Sequence, residues 1–190
     1  MGLTPLGLDP RGEWNEYFVQ LILHRVAARY PRAPAFGSVV DSRMFSWPRG
    51  PYGHTGEHAV GIEGVLAHRG FRGWTQRVKW DFQMDAEDHR SSDVFAVLTV
   101  CKRGINRSVS CARILSHCLS TEGYRVQGIG LLSINDIVER KFCDGSCDQC
   151  QIGNGQCLAK TRALDRASRV WNSSRCLVKH IIQECTLTTR

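Results

Sequence analysis

The sequence predicts an α/β fold: a small three-layer Rossmann-like domain with a mainly parallel sheet, plus an N-terminal helix and a Cys-rich C-terminal extension. Three observations predict it. Runs rich in β-branched residues, Ala35 to Phe45 and Val94 to Val100, alternate with segments of helical spacing. The second run stops abruptly at a polar, glycine-containing loop, Cys101 to Asn106, and an apolar-periodic segment comes next, as at the opening of a βα unit. That segment leads through Gly123 into a further strand pattern, Tyr124 to Ser133, and a helix returning to a strand asks for a parallel, right-handed crossover. The chain divides into a leader and helix over 1–34, the α/β domain over 35–138, and the Cys-rich segment with a basic helical tail over 139–190.

Each element has a local reason. Residues 1–12 carry Pro and Gly without periodicity and read as a loose leader. Trp14, Phe18, Leu21, Ile22, Val26 and Tyr30 fall near helical spacing, and Pro31 and Pro34 end that helix; His24 on it is a surface histidine. The strand Ala35 to Phe45 delivers Asp41 and Arg43 near its end. Pro48 to Gly56 is a Gly/Pro-rich loop of the kind that lies over a site. Glu57 to Arg69 is helical, with Val60, Val65 and Leu66 inward and Gly61 and Gly64 as interruptions. Trp74, Val78 and Phe82 give a second helix to about Asp88, its aromatics belonging to the core. The helix Arg107 to Leu119 buries Val109, Ala112, Leu115, Cys118 and Leu119, and Gly123 ends it. Leu158 to Glu184 is helical in composition and basic through Lys160, Arg162, Arg166, Arg169, Arg175 and Lys179. It folds back on the domain or binds an acidic partner.

Composition bounds the function. With 190 residues, 42% of them apolar and 23% charged, the chain can bury a proper core and disorder is not the default. A net charge of +7 suits phosphorylated metabolites, nucleotides, RNA or an acidic protein surface, although dispersed arginines equally make a solvated face. No apolar run approaches the roughly 20 residues that span a bilayer, and the first residues carry neither an export signal nor a myristoylation signal. The expectation is a soluble, intracellular, cytoplasmic protein.

Two stretches carry chemistry. Backbone amides of a strand-loop-helix turn converge on one point and are joined by the positive end of the helix, so the loop asks for an anion. Its candidate ligands are Cys101, Lys102, Arg103, Gly104, Ile105, Asn106, Arg107 and Ser108, with Arg107 forking two oxygens of a phosphate and Ser108 capping the helix or donating a further hydrogen bond. Asp41 and Arg43 lie on the same carboxyl edge, either as ligands or as a local ion pair closing the strand. The second stretch holds four of the nine cysteines: Cys143, Cys147, Cys150 and Cys157. Four soft ligands on a glycine-rich backbone suit a structural zinc ion, with a disulfide or free thiols as the alternatives.

The loop resembles two known patterns. Cys101, Gly104, Arg107 and Ser108 match in register the Cys-x-Gly-Gly-x-His-Arg-Ser loop of the RapZ family's C-terminal domain, found in bacterial RNase-adapter and nucleotide-binding proteins. Asp41 with Arg43, and Thr55 with Gly56, match its Asp-x-Arg strand end and its Thr-Gly before a helix, so the resemblance covers about residues 35–135. Arg103 replaces a glycine, Asn106 a histidine, and Leu131 stands where a basic residue is expected. Stand-alone relatives with a Cys-rich tail favour the zinc reading. The resemblance implies a regulatory domain that holds a sugar phosphate or nucleotide and senses a metabolite. It implies no ATPase activity, because the family's Gly-x-x-x-x-Gly-Lys-Ser/Thr loop is absent. His54 and Arg49, on the preceding loop, would reach the anion or be solvated.

The second pattern is the Cys, five residues, Arg, Ser/Thr loop of cysteine-dependent phosphatases. On that resemblance Cys101 would be a thiolate nucleophile and Arg107 would bind the transferred phosphoryl group. Trp80-Asp81 is the nearest imitation of the general acid, but it lies mid-helix. A third reading, an RNA-associated module, rests on charge alone.

Overall fold

The structure, a computed structural model, describes residues 24, 36–46, 54, 56–88, 96–101, 106–126, 147 and 157–174. Among these residues it is a mixed α/β arrangement of a two-stranded parallel sheet and four helices. β1 (Phe36–Asp41) and β2 (Ala96–Val100) pair with Val39 opposite Leu98, Val40 opposite Thr99 and Asp41 opposite Val100, after an irregularity between Phe36 and Val39. The Ser42 amide extends the ladder by donating to the Val100 carbonyl at 2.8 Å. Both strands therefore end at one level. The chain leaves Asp41 and Val100 on the same edge of the sheet, as the sequence predicts.

Parallel strands need a long crossover, and here α1 (Ala59–Leu66) and α2 (Phe71–Asp88) make it. The α1 register differs from the expected one. Ala59, Gly61, Ile62 and Val65 face inward, Leu66 is only partly buried, and Val60 is exposed. Gly61 is part of the packed face, not an interruption of it. Glu57 lies ahead of the helix, which His58 caps by accepting the Val60 amide on Nδ1 at 3.2 Å. α2 buries Trp74, Val78 and Phe82, as their four-residue spacing requires, together with Phe71, and Trp74 Nε1 donates to the Asp41 carbonyl at 3.3 Å, tying the helix to the end of β1. Phe45 meets Trp74 and His68 edge-on, at 5.3 and 5.4 Å between ring centroids.

α3 (Arg107–Thr121) buries Val109, Cys111, Ile114, Leu115, Cys118 and Leu119; Ala112 is only half-buried. Gly123, at φ +94°, ends it: its amide donates to Ser120 and that of Tyr124 to Leu119, both at 3.1 Å, the paired bonds of a Schellman motif. α4 (Leu158–Ser173) folds back on the domain. Ala163, Leu164, Ala167 and Trp171 form a stripe at three- and four-residue spacing that packs on α1, α2 and α3, and Trp171 is fully buried. Lys160 is buried in the same face instead of joining the solvated basic residues. No helix among the described residues is long and apolar enough to cross a membrane. The expected helix over 14–30, apart from His24, and the expected strand beyond Val126 lie outside the described residues.

Candidate functional site

The carboxyl edge of the sheet is organised by Asp41 and Arg107. Asp41 accepts the Arg43 amide at 2.8 Å and the Arg43 side chain through Nε at 2.9 Å and Nη2 at 2.7 Å. A carboxylate that takes the amide two residues on closes a tight turn, so Arg43 stands in the turn after β1 and not on the strand. The bond to Asp41 raises the Arg43 pKa above its ordinary value. The geometry is that of the local ion pair.

Arg107 reaches across from the start of α3. Its Nη1 donates to the carbonyls of Arg43 at 2.9 Å and Phe45 at 3.0 Å, which fixes the guanidinium between the β1 turn and the helix. Two of its five donors are thereby used. Nε and Nη2 make no hydrogen bond to any other described residue, and these are the donors of a fork.

Cys101 is 2% exposed and its thiol donates to the Ser108 hydroxyl at 3.2 Å. Thr99 Oγ1 donates to the Ser108 carbonyl at 2.8 Å, so β2 and the first turn of α3 are pinned together from both sides of the loop. Asn106 is the N-cap of α3 but makes no side-chain capping bond. Lys102, Arg103, Gly104 and Ile105 lie outside the described residues, as does Thr55. Behind Cys101, Cys111 is fully buried, and burial pushes its thiol up to about 12; burial raises Cys118 to about 11.

The turn at 56–58 lies against this helix end. A Cβ on Gly56 would collide with the Asn106 carbonyl oxygen, and would stand 2.7 Å from the Ser110 nitrogen and 2.8 Å from Val109 Cβ. Only glycine fits there. Ser110 Oγ donates to the Gly56 carbonyl at 2.8 Å, and Arg113 Nε donates to Glu57 Oε2 at 2.9 Å. Glu57 is 1% exposed and also faces the buried Lys160 Nζ at 3.6 Å, so one carboxylate draws α3, α4 and the turn together.

The same turn brings together residues that the cysteine spacing does not join. One ligand atom each of His54, His58 and Cys147 lie within 4.8 Å of one another, a group able to hold a metal ion. The His54 and His58 rings are 4.2 Å apart, centroid to centroid. His58 is buried, and desolvation, then the neighbouring His54 and Lys160, lower its pKa below the usual histidine value. The neutral ring is the form with a lone pair to share. Of the four cysteines expected as zinc ligands, Cys147 stands in this group. Cys157 is instead the N-cap residue of α4, and Cys143 and Cys150 lie outside the described residues. Cys101, Cys111, Cys118, Cys147 and Cys157 are all free thiols, so no disulfide joins these five.

Sequence reasoning placed His54 near the site but missed His58. The available signal was the pair itself, two histidines four residues apart around Glu57. Such pairs bind metal from one helix face, whereas here His54 precedes α1 and the turn through Gly56 sets the approach.

No protein-family model, curated protein or solved structure matches this chain.

Proposed function

We propose that the protein is a regulatory binding domain that holds a phosphorylated small molecule, a sugar phosphate or a nucleotide, at the carboxyl edge of a Rossmann-like sheet. The observation that carries the reading is Arg107, anchored through Nη1 to two carbonyls of the β1 turn, with its Nε and Nη2 donors making no bond to the other described residues. A planar fork held in advance loses little freedom when it grips two phosphate oxygens. The first turn of α3 adds its amides and dipole to the same place. The resemblance of Asp41, Arg43, Gly56, Cys101, Gly104, Arg107 and Ser108 to the RapZ C-terminal domain points the same way. A structural zinc ion that takes Cys147 of the cysteine-rich segment among its ligands belongs to this reading as its cofactor.

Binding is favoured over phosphatase turnover because Cys101 is covered. A nucleophilic thiolate must face its substrate. The deciding experiment combines calorimetric titration with inorganic phosphate and glucose 6-phosphate and an aryl phosphate turnover assay, on wild type, Arg107→Lys and Cys101→Ser. Arg107→Lys keeps the charge but removes the fork. The loss of one charge-assisted bidentate contact, about 1.5–3 kcal/mol, weakens binding roughly ten- to hundredfold. No turnover is expected from any of the three proteins. Turnover that vanishes in Cys101→Ser would replace this reading with the phosphatase, and equal affinity in wild type and Arg107→Lys would remove Arg107 from the site.

A further inference from the structure

We infer that His54, His58 and Cys147 bind one zinc ion, as a mixed nitrogen and sulfur site that ties Cys147 to the turn ahead of α1. Zinc sits 2.0–2.1 Å from histidine nitrogen and about 2.3 Å from thiolate sulfur, so two ligand atoms of one tetrahedral ion stand roughly 3.3–3.8 Å apart. Three ligand atoms that already lie within 4.8 Å of one another need only shifts of about an ångström to surround it. The donor set also selects the metal class. Two imidazoles and a thiolate suit a borderline-soft divalent ion and disfavour calcium or magnesium, which take oxygen.

The scaffold beneath the histidines is rigid. Gly56 is wedged on the first turn of α3, Ser110 holds its carbonyl, and Glu57 is fixed by Arg113 and Lys160. His54 and His58 lie on either side of Gly56 and Glu57, the two residues these contacts hold. The Lys160 cation that faces this region is matched by the Glu57 carboxylate. Cys147 would supply the only anionic ligand of the three, and a fourth position remains for water or another side chain.

Binding has a structural cost that gives the proposal a second signature. His58 Nδ1 accepts the Val60 amide. Coordination through Nδ1 takes that lone pair, and coordination through Nε2 moves the ring proton to Nδ1, where it would oppose the Val60 N–H. Zinc and the helix cap exclude each other in either case. The Val60 amide therefore loses protection when metal binds, while Cys147 gains order.

The test measures zinc on the full chain by elemental analysis and by competition with a chromophoric chelator, in wild type, His54→Gln, His58→Asn, Cys147→Ser and Cys157→Ser. Asn at 58 is itself a good N-cap, so that variant keeps the start of α1 while losing the imidazole. Wild type and Cys157→Ser are expected to hold about one zinc per chain, and the other three to bind at least about a hundredfold more weakly. Retention of zinc at wild-type affinity in either histidine variant would overturn the proposal, as would a wild-type protein that binds none. Cobalt substitution in wild type gives an answer that does not depend on how the variants fold. A charge-transfer band of one thiolate, with loss of Val60 amide protection in hydrogen exchange, is the expected result. A band with the intensity of four thiolates would assign the metal to the cysteines alone and sink the histidine site.

Discussion

Glu57→Gln is the perturbation that most severely tests how the described elements are held together. The carboxylate is 1% exposed, with Oε2 at 2.9 Å from Arg113 Nε and 3.6 Å from Lys160 Nζ. Its two partners differ in what they do when it is neutralised. Arg113 is 21% exposed and can turn to water, but Lys160 is only 5% exposed and stays buried as a cation that has lost the Glu57 charge. At an effective dielectric constant of about 20, the lost attraction at 3.6 Å is about 5 kcal/mol. Measured losses on removing one partner of a buried pair run about 3–5 kcal/mol. We therefore expect a loss of about 3–5 kcal/mol, a large part of the roughly 5–15 kcal/mol available to a domain. Urea denaturation followed by tryptophan fluorescence reads it, because Trp74 and Trp171 are buried. The double variant Glu57→Gln/Lys160→Met is the decisive control: it removes the buried cation and keeps similar volume, so most of the loss should return. A single-variant loss below about 1 kcal/mol, or a double variant as unstable as the single, would refute the claim that Lys160 depends on Glu57.

Gly56→Ala should cost about 1–3 kcal/mol or more, since its Cβ meets backbone atoms of α3 that cannot swing away, and a wild-type urea midpoint would contradict the close approach. Alkaline stability should depend on the core thiols. The unfolded Cys111 thiol ionises near 9.0 while burial holds the folded one protonated to about 12, so the folded state binds more protons above pH 9 and stability falls as pH rises through that interval. The slope is at most about 1.4 kcal/mol per pH unit for each thiol. Cys111→Ala should flatten the alkaline limb relative to wild type, and parallel curves would show that the thiol titrates normally. Gly123→Ala, at φ +94°, should cost about 1–2 kcal/mol by forcing a side chain into the left-handed region, and no change in the thermal midpoint would contradict the helix end described.

What was legible in the sequence was periodic. Trp74, Val78 and Phe82, and the β2–loop–α3 order, rest on spacings that a chain shows locally, and the parallel pairing put Asp41 and Cys101 on one edge as the strand pattern requires. Local rules failed where partners are distant. Glu57 looks like the first residue of a helix, yet its place is set by Arg113 and Lys160, 56 and 103 positions further on. Val60 faces solvent while Gly61 is among the buried residues of α1, a register that a count of apolar side chains cannot give. The tail's basic composition left open whether it folds back on the domain or binds an acidic partner, and the small residues Ala163 and Ala167 beside Trp171 carried the core-facing signal that would have chosen the first. The metal group was the least legible part. The cysteine spacing points inward to its own cluster, and the approach of Cys147 to His54 and His58 spans about ninety positions that no local pattern connects.

The most direct test of the central claim is an amide NMR titration of the full chain with inorganic phosphate at fixed ionic strength. A phosphate site at this edge predicts saturable shifts concentrated on the amides of Arg107, Ser108 and Val109 and on the Arg107 Nε–H, absent in Arg107→Lys. Shifts that are unsaturable, or that fall evenly over the exposed basic residues of α4, would show that phosphate binds the protein's net charge and not this edge of the sheet.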